Sequence, residues 1–140
     1  MTPRARRARP ARNEGLAATT YTAVVLEHFR NPSNVGSLPE PSASREGLNP
    51  LCGDRIRIEL AVAGGRIEAA RFRADACAVT VAAASLLTER VTGASLADVA
   101  GLTEDDALAL LGGEIPAARR RCGTLPLEVL QAAARAASSG

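Results

Sequence analysis

The sequence lacks lysine and tryptophan altogether, and aromatic residues make up only 2% of its 140 residues. Because all 17 basic residues are therefore arginine, Schiff-base chemistry on lysine, a lysine general base and a Walker-type phosphate loop are excluded. With so few aromatics, the hydrophobic core has to be built mainly from alanine, valine, leucine and isoleucine. The length and the apolar fraction of 46% predict one domain with a substantial core.

The sequence also has no apolar run long enough to cross a membrane, and its first residues are basic rather than apolar. Five arginines lie within residues 1–14, where only Glu14 opposes them. This segment lacks the apolar stretch of a secretory or twin-arginine signal. We therefore interpret residues 1–18 as a disordered Arg-rich tail and residues 19–140 as the folded domain. A transit peptide or nucleic-acid-binding arm is less favoured, because short charge runs are usually solvated, and we expect a cytoplasmic protein.

A β-hairpin is predicted near the middle of the chain. Residues 55–62 alternate between polar and apolar, Ala63-Gly64-Gly65 supplies a tight turn, and residues 66–74 return as the partner strand. The preceding segment, residues 33–50, is rich in Pro, Ser, Gly and Glu, which predicts a long loop with a short edge strand near residues 45–48.

Apolar spacing and capping residues predict helices on either side of this hairpin. They are residues 20–30 with a cap at Thr19 or Thr20, residues 79–93 closed by Gly93, two short helices capped by Ser95 and Thr103, and residues 125–137. In the helix at 20–30, Tyr21, Val24, Val25 and Phe29 fall at apolar helical spacing, and Asn31-Pro32 should end the helix. The class is therefore α+β: a small antiparallel sheet of about three strands with helices packed on one face.

Three cysteines and one aspartate are the candidate ligands. An odd number of cysteines without an export signal favours free thiols or metal ligands over disulfides. Because hairpin strands run antiparallel, Cys52 and Asp54 should lie near Cys77. Cys122 precedes the last predicted helix and would have to be brought to them by the tertiary fold.

Three thiolates and a carboxylate suit either a tetrahedral zinc site or an iron–sulfur cluster. A hard carboxylate oxygen holds a sulfide-bridged cluster less firmly than a fourth thiolate would, so such a cluster should be labile. Spacing alone does not decide the matter: there is no C-x-x-C motif, and inert cysteines buried as small apolar residues explain the pattern equally well.

Five segments, in this order, resemble the NifU N-terminal domain family, the IscU- and SufU-type proteins of iron–sulfur cluster assembly. They are YTAVVLEHFRNPSNVG (21–36), NPLCGDRI (49–56), ARFRADAC (70–77), AASLLTE (83–89) and RCGTL (121–125). The resemblance covers residues 20 to about 137 and implies a SufE/NifU-like fold. It implies that Cys52, Asp54, Cys77 and Cys122 hold a transient [2Fe-2S] cluster, with Zn2+ at the same ligands.

The resemblance implies a scaffold rather than an enzyme. Such a scaffold accepts persulfide sulfur from a cysteine desulfurase and transfers a labile cluster to apo iron–sulfur proteins. The alternative is a zinc-dependent sulfur-transfer protein of the SufU type that builds no cluster itself. Resemblance to the scaffold branch favours Cys122 as persulfide acceptor, and resemblance to the zinc-dependent branch favours Cys52.

The chain departs from both branches of the family. Arg121 stands where the scaffold branch has the histidine before its last cysteine, and arginine does not ligate metal. The scaffold branch's Hsp70-type chaperone segment, Leu-Pro-Pro-Val-Lys, is only partly preserved at residues 115–119. The arginine three residues before Cys122 resembles the zinc-dependent branch, whereas residues 94–118 look too short to contain that branch's insertion.

Three further positions carry predictions. Resemblance and residue context agree that His28 is structural. Tyr21 matches a tyrosine of the scaffold branch, and packing of the first helix is the favoured role. The arginines at 119–121 would either favour a thiolate at Cys122 and attract an acidic partner or form a solvated charge cluster.

Overall fold

A three-stranded antiparallel sheet packed by helices forms the domain in the computed structural model, which describes residues 21–51 and 53–139. The elements in chain order are α1 (Ala23–Arg30), β1 (Ala43–Asn49), β2 (Asp54–Ala63), β3 (Arg66–Asp75), α2 (Ala78–Val91), α3 (Leu96–Ala100), α4 (Glu104–Leu110), a 3-10 helix (Ala117–Arg119) and α5 (Arg120–Ser139). The predicted α+β class is confirmed. The predicted tail and the caps at Thr19 and Thr20 lie outside the described residues, and Thr22 caps α1 through its side chain.

The strand order is β1-β2-β3, with both pairings antiparallel. The predicted hairpin is confirmed: Gly64 and Gly65 have φ values of 60° and 75°, a left-handed conformation that glycine adopts without a steric penalty. The edge strand is longer than the predicted residues 45–48, because β1 pairs with β2 along all seven of its residues. The sequence of β1 is mostly polar and shows little alternation between polar and apolar residues, so its full length was not predicted. Its contacts with β2 and α5 hold it as a strand.

The apolar side of the sheet faces the helices. Ile56, Ile58 and Leu60 alternate along β2 and are fully buried with Phe72 of β3 and Leu130 of α5. A second cluster lies at the end of the sheet where β2 begins and α2 starts. Its buried members are Val25, Val79, Ala82, Ala83, Leu111 and Cys122.

Two helix predictions require correction. Phe29 is 46% exposed, whereas Val25 is fully buried, so the apolar face of α1 is narrower than its spacing predicts. The last helix begins at Arg120 rather than at residue 125, and Cys122 lies within its first turn. Proline is common in the first turn of a helix, whereas Pro126 lies inside this one. Gly123, in the part of the helix before Pro126, lies close to Leu108 and Leu111.

On the opposite side of the sheet, the connection before β1 is tied down by Glu59. The carboxylate accepts the backbone N–H of Leu38 at 2.7 Å and pairs with Arg57 at 3.0 Å. Earlier in the connection, Asn34 and Gly36 bond to the backbone of Phe72. These bonds hold the predicted loop in one path across the sheet.

The structure predicts that Gly47→Ala destabilises the packing of β1 on α5. A Cβ at Gly47 would overlap the stiff Val129 side chain and lie 3.2 Å from Leu125, and overpacking of this kind costs about 1–3 kcal/mol. Chemical denaturation measures the change in unfolding free energy. Gly101→Ala is the control, because its Cβ would meet only backbone oxygens at 3.6 and 3.7 Å. Equal stabilities for the two variants would contradict the packing described here.

The Glu59 contacts predict a specific dependence of stability on pH. The N–H of Leu38 and then the Arg57 side chain hold the pKa of Glu59 below its usual 4.5. A carboxylate with a lowered folded-state pKa stabilises the protein above its unfolded pKa, and this contribution is lost as pH falls through the folded value. Denaturation as a function of pH should therefore show that Glu59→Gln weakens the protein at pH 7, and that the difference from wild type shrinks as the pH falls below 4.5 and through the folded-state pKa of Glu59. Glu46→Gln, which alters an exposed partner of Arg57, should leave the pH dependence intact. Parallel pH profiles for wild type and Glu59→Gln would contradict this account.

Candidate metal centre

Asp54 is the first residue of β2 and is buried, with 3% of its surface exposed. The carboxylate Oδ1 accepts the backbone N–H of Cys77 at 3.0 Å, and Oδ2 accepts the hydroxyl of Thr80 at 2.8 Å. Both donors belong to the start of α2. The Asp54 side chain therefore links the start of β2 to the start of α2, the helix that follows β3. The two hydrogen bonds hold the carboxylate in one orientation.

Cys77 is the N-cap residue of α2, with extended backbone angles of φ −71° and ψ 169°. Its side chain makes no capping hydrogen bond to the helix, and its sulfur lies 3.6 Å from the Thr80 hydroxyl oxygen. The thiol is half-buried. It therefore remains available as a ligand at a helix N-terminus, where the partial positive charge of the helix stabilises anions.

Cys122 reaches the same place from α5. It is the third residue of that helix and is fully buried among residues of α1, α2 and the end of α4. Neither Cys77 nor Cys122 is in a disulfide. The N-terminal turns of the two long helices thus converge, and each carries one thiol.

Together these elements bring three of the four predicted ligands close to one another. One carboxylate oxygen of Asp54 and the sulfurs of Cys77 and Cys122 all lie within 4.8 Å of each other. Sulfur ligands of one tetrahedral zinc ion lie roughly 3.8 Å apart, given Zn–S bonds of about 2.3 Å. The observed separations of at most 4.8 Å are within about 1 Å of that spacing. The two hydrogen bonds to Asp54 leave other lone pairs of the carboxylate available. The donor set therefore fits zinc or iron.

The fourth predicted ligand, Cys52, lies outside the described residues, and its role stays a prediction. Asn49 and Asp54 are paired across β1 and β2, so residues 50–53 form the connection between these strands. Within it Leu51 is 93% exposed and Gly53 has φ 71°. Antiparallel pairing of the hairpin strands predicts that Asp54 lies near Cys77, and the hydrogen bond from the Cys77 N–H to Asp54 confirms this.

The three consecutive arginines behave differently from one another. Arg120 pairs with Glu104 and Asp105, and Arg121 pairs with Glu128. Arg119 is half-buried, and its pKa is raised above the usual value, first by a hydrogen bond to the Cys122 side chain and then by the nearby Tyr21 and Cys77. The sequence pattern treated the triplet as one cluster, whereas only Arg119 contacts the candidate centre.

Thr80 is the site residue that the pattern missed. It is fully buried and contacts both Asp54 and Cys77. A signal was present, because Thr80 is the third residue after the N-cap Cys77, and side chains at that spacing fold back toward the cap.

Two other predicted positions have structural contacts. His28 Nδ1 lies 2.7 Å from the Ser85 hydroxyl, which joins α1 to α2. Tyr21 is partly buried and packs against the cluster that contains Cys122.

Comparison with known proteins decides the family. The profile of the NifU-like N terminal domain matches residues 20–138. The chain belongs to the NifU N-terminal domain family. The fold agrees: a crystal structure of the N-terminal part of a nitrogen-fixing NifU-like protein from Brucella abortus superposes with a TM-score of 0.70 at 22% identity, covering 84% of this chain and 94% of that one.

Relatives of this NifU-like chain come from both branches of the family. The bifunctional protein NifU/MnmA of Rubrobacter xylanophilus is 38% identical over 114 residues, which are 81% of this chain but only 23% of that protein. The iron-sulfur cluster assembly scaffold protein IscU 1 of Archaeoglobus fulgidus is 33% identical over 113 residues, covering 81% and 73% of the two chains. The zinc-dependent sulfurtransferase SufU of Bacillus subtilis is 30% identical over 132 residues, covering 81% and 88%.

The geometry predicts that Thr80→Val weakens this centre. The substitution keeps a branched side chain but removes the hydroxyl that bonds to the buried Asp54 oxygen, which should reduce the unfolding free energy by about 1–3 kcal/mol. Loss of a partner that orients a ligand should also weaken zinc binding about ten-fold. Denaturation and zinc titration measure the two effects.

Thr92→Val is the matched control, because Thr92 is exposed at the other end of α2 and its hydroxyl bonds only to the Thr88 carbonyl among the bonds described. Its stability should change by less than about 0.5 kcal/mol. Wild-type zinc affinity in Thr80→Val would rule out Thr80 as a support of Asp54.

Proposed function

We propose that this chain is a scaffold for iron–sulfur cluster assembly, which accepts sulfur from a cysteine desulfurase and transfers a labile [2Fe-2S] cluster to apo-proteins. The observation that carries the proposal is the grouping of one carboxylate and two thiols, all within 4.8 Å, at the N-termini of two helices. Membership of the family and relatives named as assembly scaffolds support it. Cys52 is proposed as the fourth ligand.

Sulfur transfer by this chain needs a thiolate that can reach the donor. The attacking thiolate forms a new bond to the terminal sulfur of the desulfurase persulfide, while the old sulfur–sulfur bond breaks and leaves the desulfurase cysteine as a thiolate. Cys122 is fully buried, so direct attack from it requires movement of the surrounding residues. Leu51 and Gly53, which flank Cys52 in the chain, are exposed. We therefore propose Cys52 as the first acceptor and Cys122 as a later one.

The role of Asp54 is to make release possible. Its carboxylate is the hard ligand of the set and holds an iron–sulfur cluster less firmly than a thiolate would. Its two hydrogen bonds, from Cys77 and Thr80, give it stable partners when the cluster has left. The site can therefore alternate between loaded and empty forms without leaving a buried charge unpaired.

The alternative is a zinc-dependent sulfur-transfer protein, and a specific observation favours it. The half-buried Arg119 lies three residues before Cys122, as in the zinc-dependent branch, and hydrogen-bonds to that cysteine. The lengths of the two alignments favour the scaffold instead. Both alignments cover 81% of this chain, but the one with SufU is 132 positions long and the one with IscU 1 is 113 positions long. The additional positions agree with an insertion that residues 94–118 lack. When bound, zinc would hold its sulfur ligands as thiolates.

Partners and location follow from the same proposal. A cysteine desulfurase and apo iron–sulfur proteins are the proposed partners, and a chaperone contact at residues 115–119 stays a prediction. In the part of the chain that the structure describes, no helix has the length and apolar character to span a membrane. The cytoplasmic location is proposed on the sequence pattern.

Anaerobic incubation with a desulfurase, cysteine and ferrous iron should produce the visible absorption of a [2Fe-2S] cluster on this chain. Mass spectrometry without iron should find added sulfur on a cysteine, and Cys52→Ser should abolish the earliest product. Bound zinc, faster desulfurase turnover and no absorption would select the sulfur-transfer alternative. Neither added sulfur nor a cluster would overturn both.

Asp54→Ala should lengthen the lifetime of the cluster in the presence of an apo acceptor, because it removes the hard ligand from the set. The rate at which the visible absorption is lost measures this lifetime. Asp75→Ala is the control, since Asp75 is an exposed carboxylate at the same end of the sheet. Thermal unfolding of the apo forms checks that Asp54→Ala is folded. An unchanged or shorter lifetime in the folded variant would disprove the lability role.

A further inference from the structure

A groove lies between α4 and the segment that leads into the 3-10 helix, and its volume is about 660 Å³. Its floor is mainly apolar and includes Leu108, Ile115 and Pro116, whereas Asp105 and Glu114 bring carboxylates to its two walls. None of the described candidate metal ligands lines it. The groove is therefore a second surface feature of the domain, separate in composition from the metal centre.

The rim of the groove carries an excess of negative charge. The side chains of Glu104 and Asp105 are 64% and 91% exposed, and Arg120 pairs with both of them. Glu114 is also exposed, and no described basic residue forms an ion pair with it. Three exposed carboxylates thus share one guanidinium. A surface that combines an apolar floor with an acidic rim suits an apolar residue joined to cationic ones.

The chain itself enters the fold beside this groove. Thr22 donates a hydrogen bond from its hydroxyl to the Leu111 carbonyl at 2.5 Å. Its methyl group packs so closely on Gly113 that a Cβ at that glycine would lie 3.0 Å from it, and Gly113 lines the groove. Residues 1–20, which lie outside the described residues, therefore join the domain at the edge of the groove.

The sequence of this segment complements the groove. Residues 1–14 contain five arginines and a single acid, Glu14. Leu16 is the only large apolar residue between the last of these arginines, Arg12, and Tyr21. An extended chain spans about 3.3–3.6 Å per residue, and Arg12 precedes Tyr21 by nine residues. The arginines can therefore reach the rim while Leu16 lies over the floor.

We propose that residues 4–16 dock into this groove in the same molecule, with Leu16 on the apolar floor and the arginines beside Asp105 and Glu114. The Arg-rich tail is then a ligand of its own domain and not a solvated extension. Residues 115–117 line the groove and belong to the segment of the predicted chaperone contact. The docked tail and a partner at that segment therefore compete for one surface.

Tryptophan fluorescence of the full chain tests the docking, because the chain has no tryptophan of its own. In Leu16→Trp, an indole in the groove should emit at shorter wavelength than a solvated indole and should be quenched less by acrylamide. Raising the ionic strength from about 0.01 M to about 1 M shortens the screening length from about 30 Å to about 3 Å. The emission should then return to that of a solvated indole.

Two double variants, each combined with Leu16→Trp, locate the contact. Asp105→Asn/Glu114→Gln should lose the wavelength shift, because it removes a carboxylate from each wall of the groove. Glu40→Gln/Glu68→Gln is the matched control: both acids are exposed, neither lines the groove, and the same charge is lost. It should keep the shift. Thermal unfolding confirms that each variant is folded.

Solvated emission from Leu16→Trp at low ionic strength would overturn the docking, and a shift that persists at high ionic strength would reject its dependence on the arginines. A shift retained in Asp105→Asn/Glu114→Gln would place the segment elsewhere. Equal loss in both double variants would reduce the effect to net charge.

Other occupants of the groove, or other ligands of the tail, give distinct results that also reject the proposal. A shift that grows with protein concentration, together with a dimer in sedimentation velocity, would assign the docked segment to a second copy. A shift that appears only after duplex DNA is added would make the segment a nucleic-acid-binding arm. No step of the measurement uses a metal or a desulfurase, so its outcome is independent of the proposed scaffold function.

Discussion

The two hydrogen bonds of the Asp54 carboxylate, one from the Cys77 backbone and one from the Thr80 hydroxyl, are the interaction on which the candidate centre depends. They connect the first residue of β2 to the first turn of α2. A buried carboxylate requires such donors, because burial without them is strongly unfavourable. The same bonds direct the Cys77 thiol and the Asp54 oxygens into one space.

The remainder of the centre is built by helix packing. Cys122 enters through the N-terminal turn of α5, and the absence of a side chain at Gly123 lets that turn pack closely against Leu108 and Leu111. The cluster around Val25, Val79 and Leu111 lies beneath the thiols and excludes water from that side. Polar ligands above an apolar base are a common arrangement for metal sites, since the apolar surroundings control solvent access and the strength of local charges.

The arginine triplet shows how the fold assigns different roles to identical residues. In a helix, successive side chains point in directions about 100° apart, so three consecutive arginines cannot face one surface. Arg120 and Arg121 remain exposed near acids of α4 and α5, whereas Arg119 lies against Cys122.

Local patterns in the sequence were sufficient for the hairpin, for the caps at Ser95 and Thr103, and for the closeness of Asp54 to Cys77. These features depend on neighbouring residues or on the geometry of one antiparallel pair. The position of Cys122, the full length of β1, the start of α5 and the contacts of Arg119 and Thr80 required the tertiary structure. They arise from packing between segments distant in the chain, where close contacts override local propensity and no periodicity records which surfaces meet.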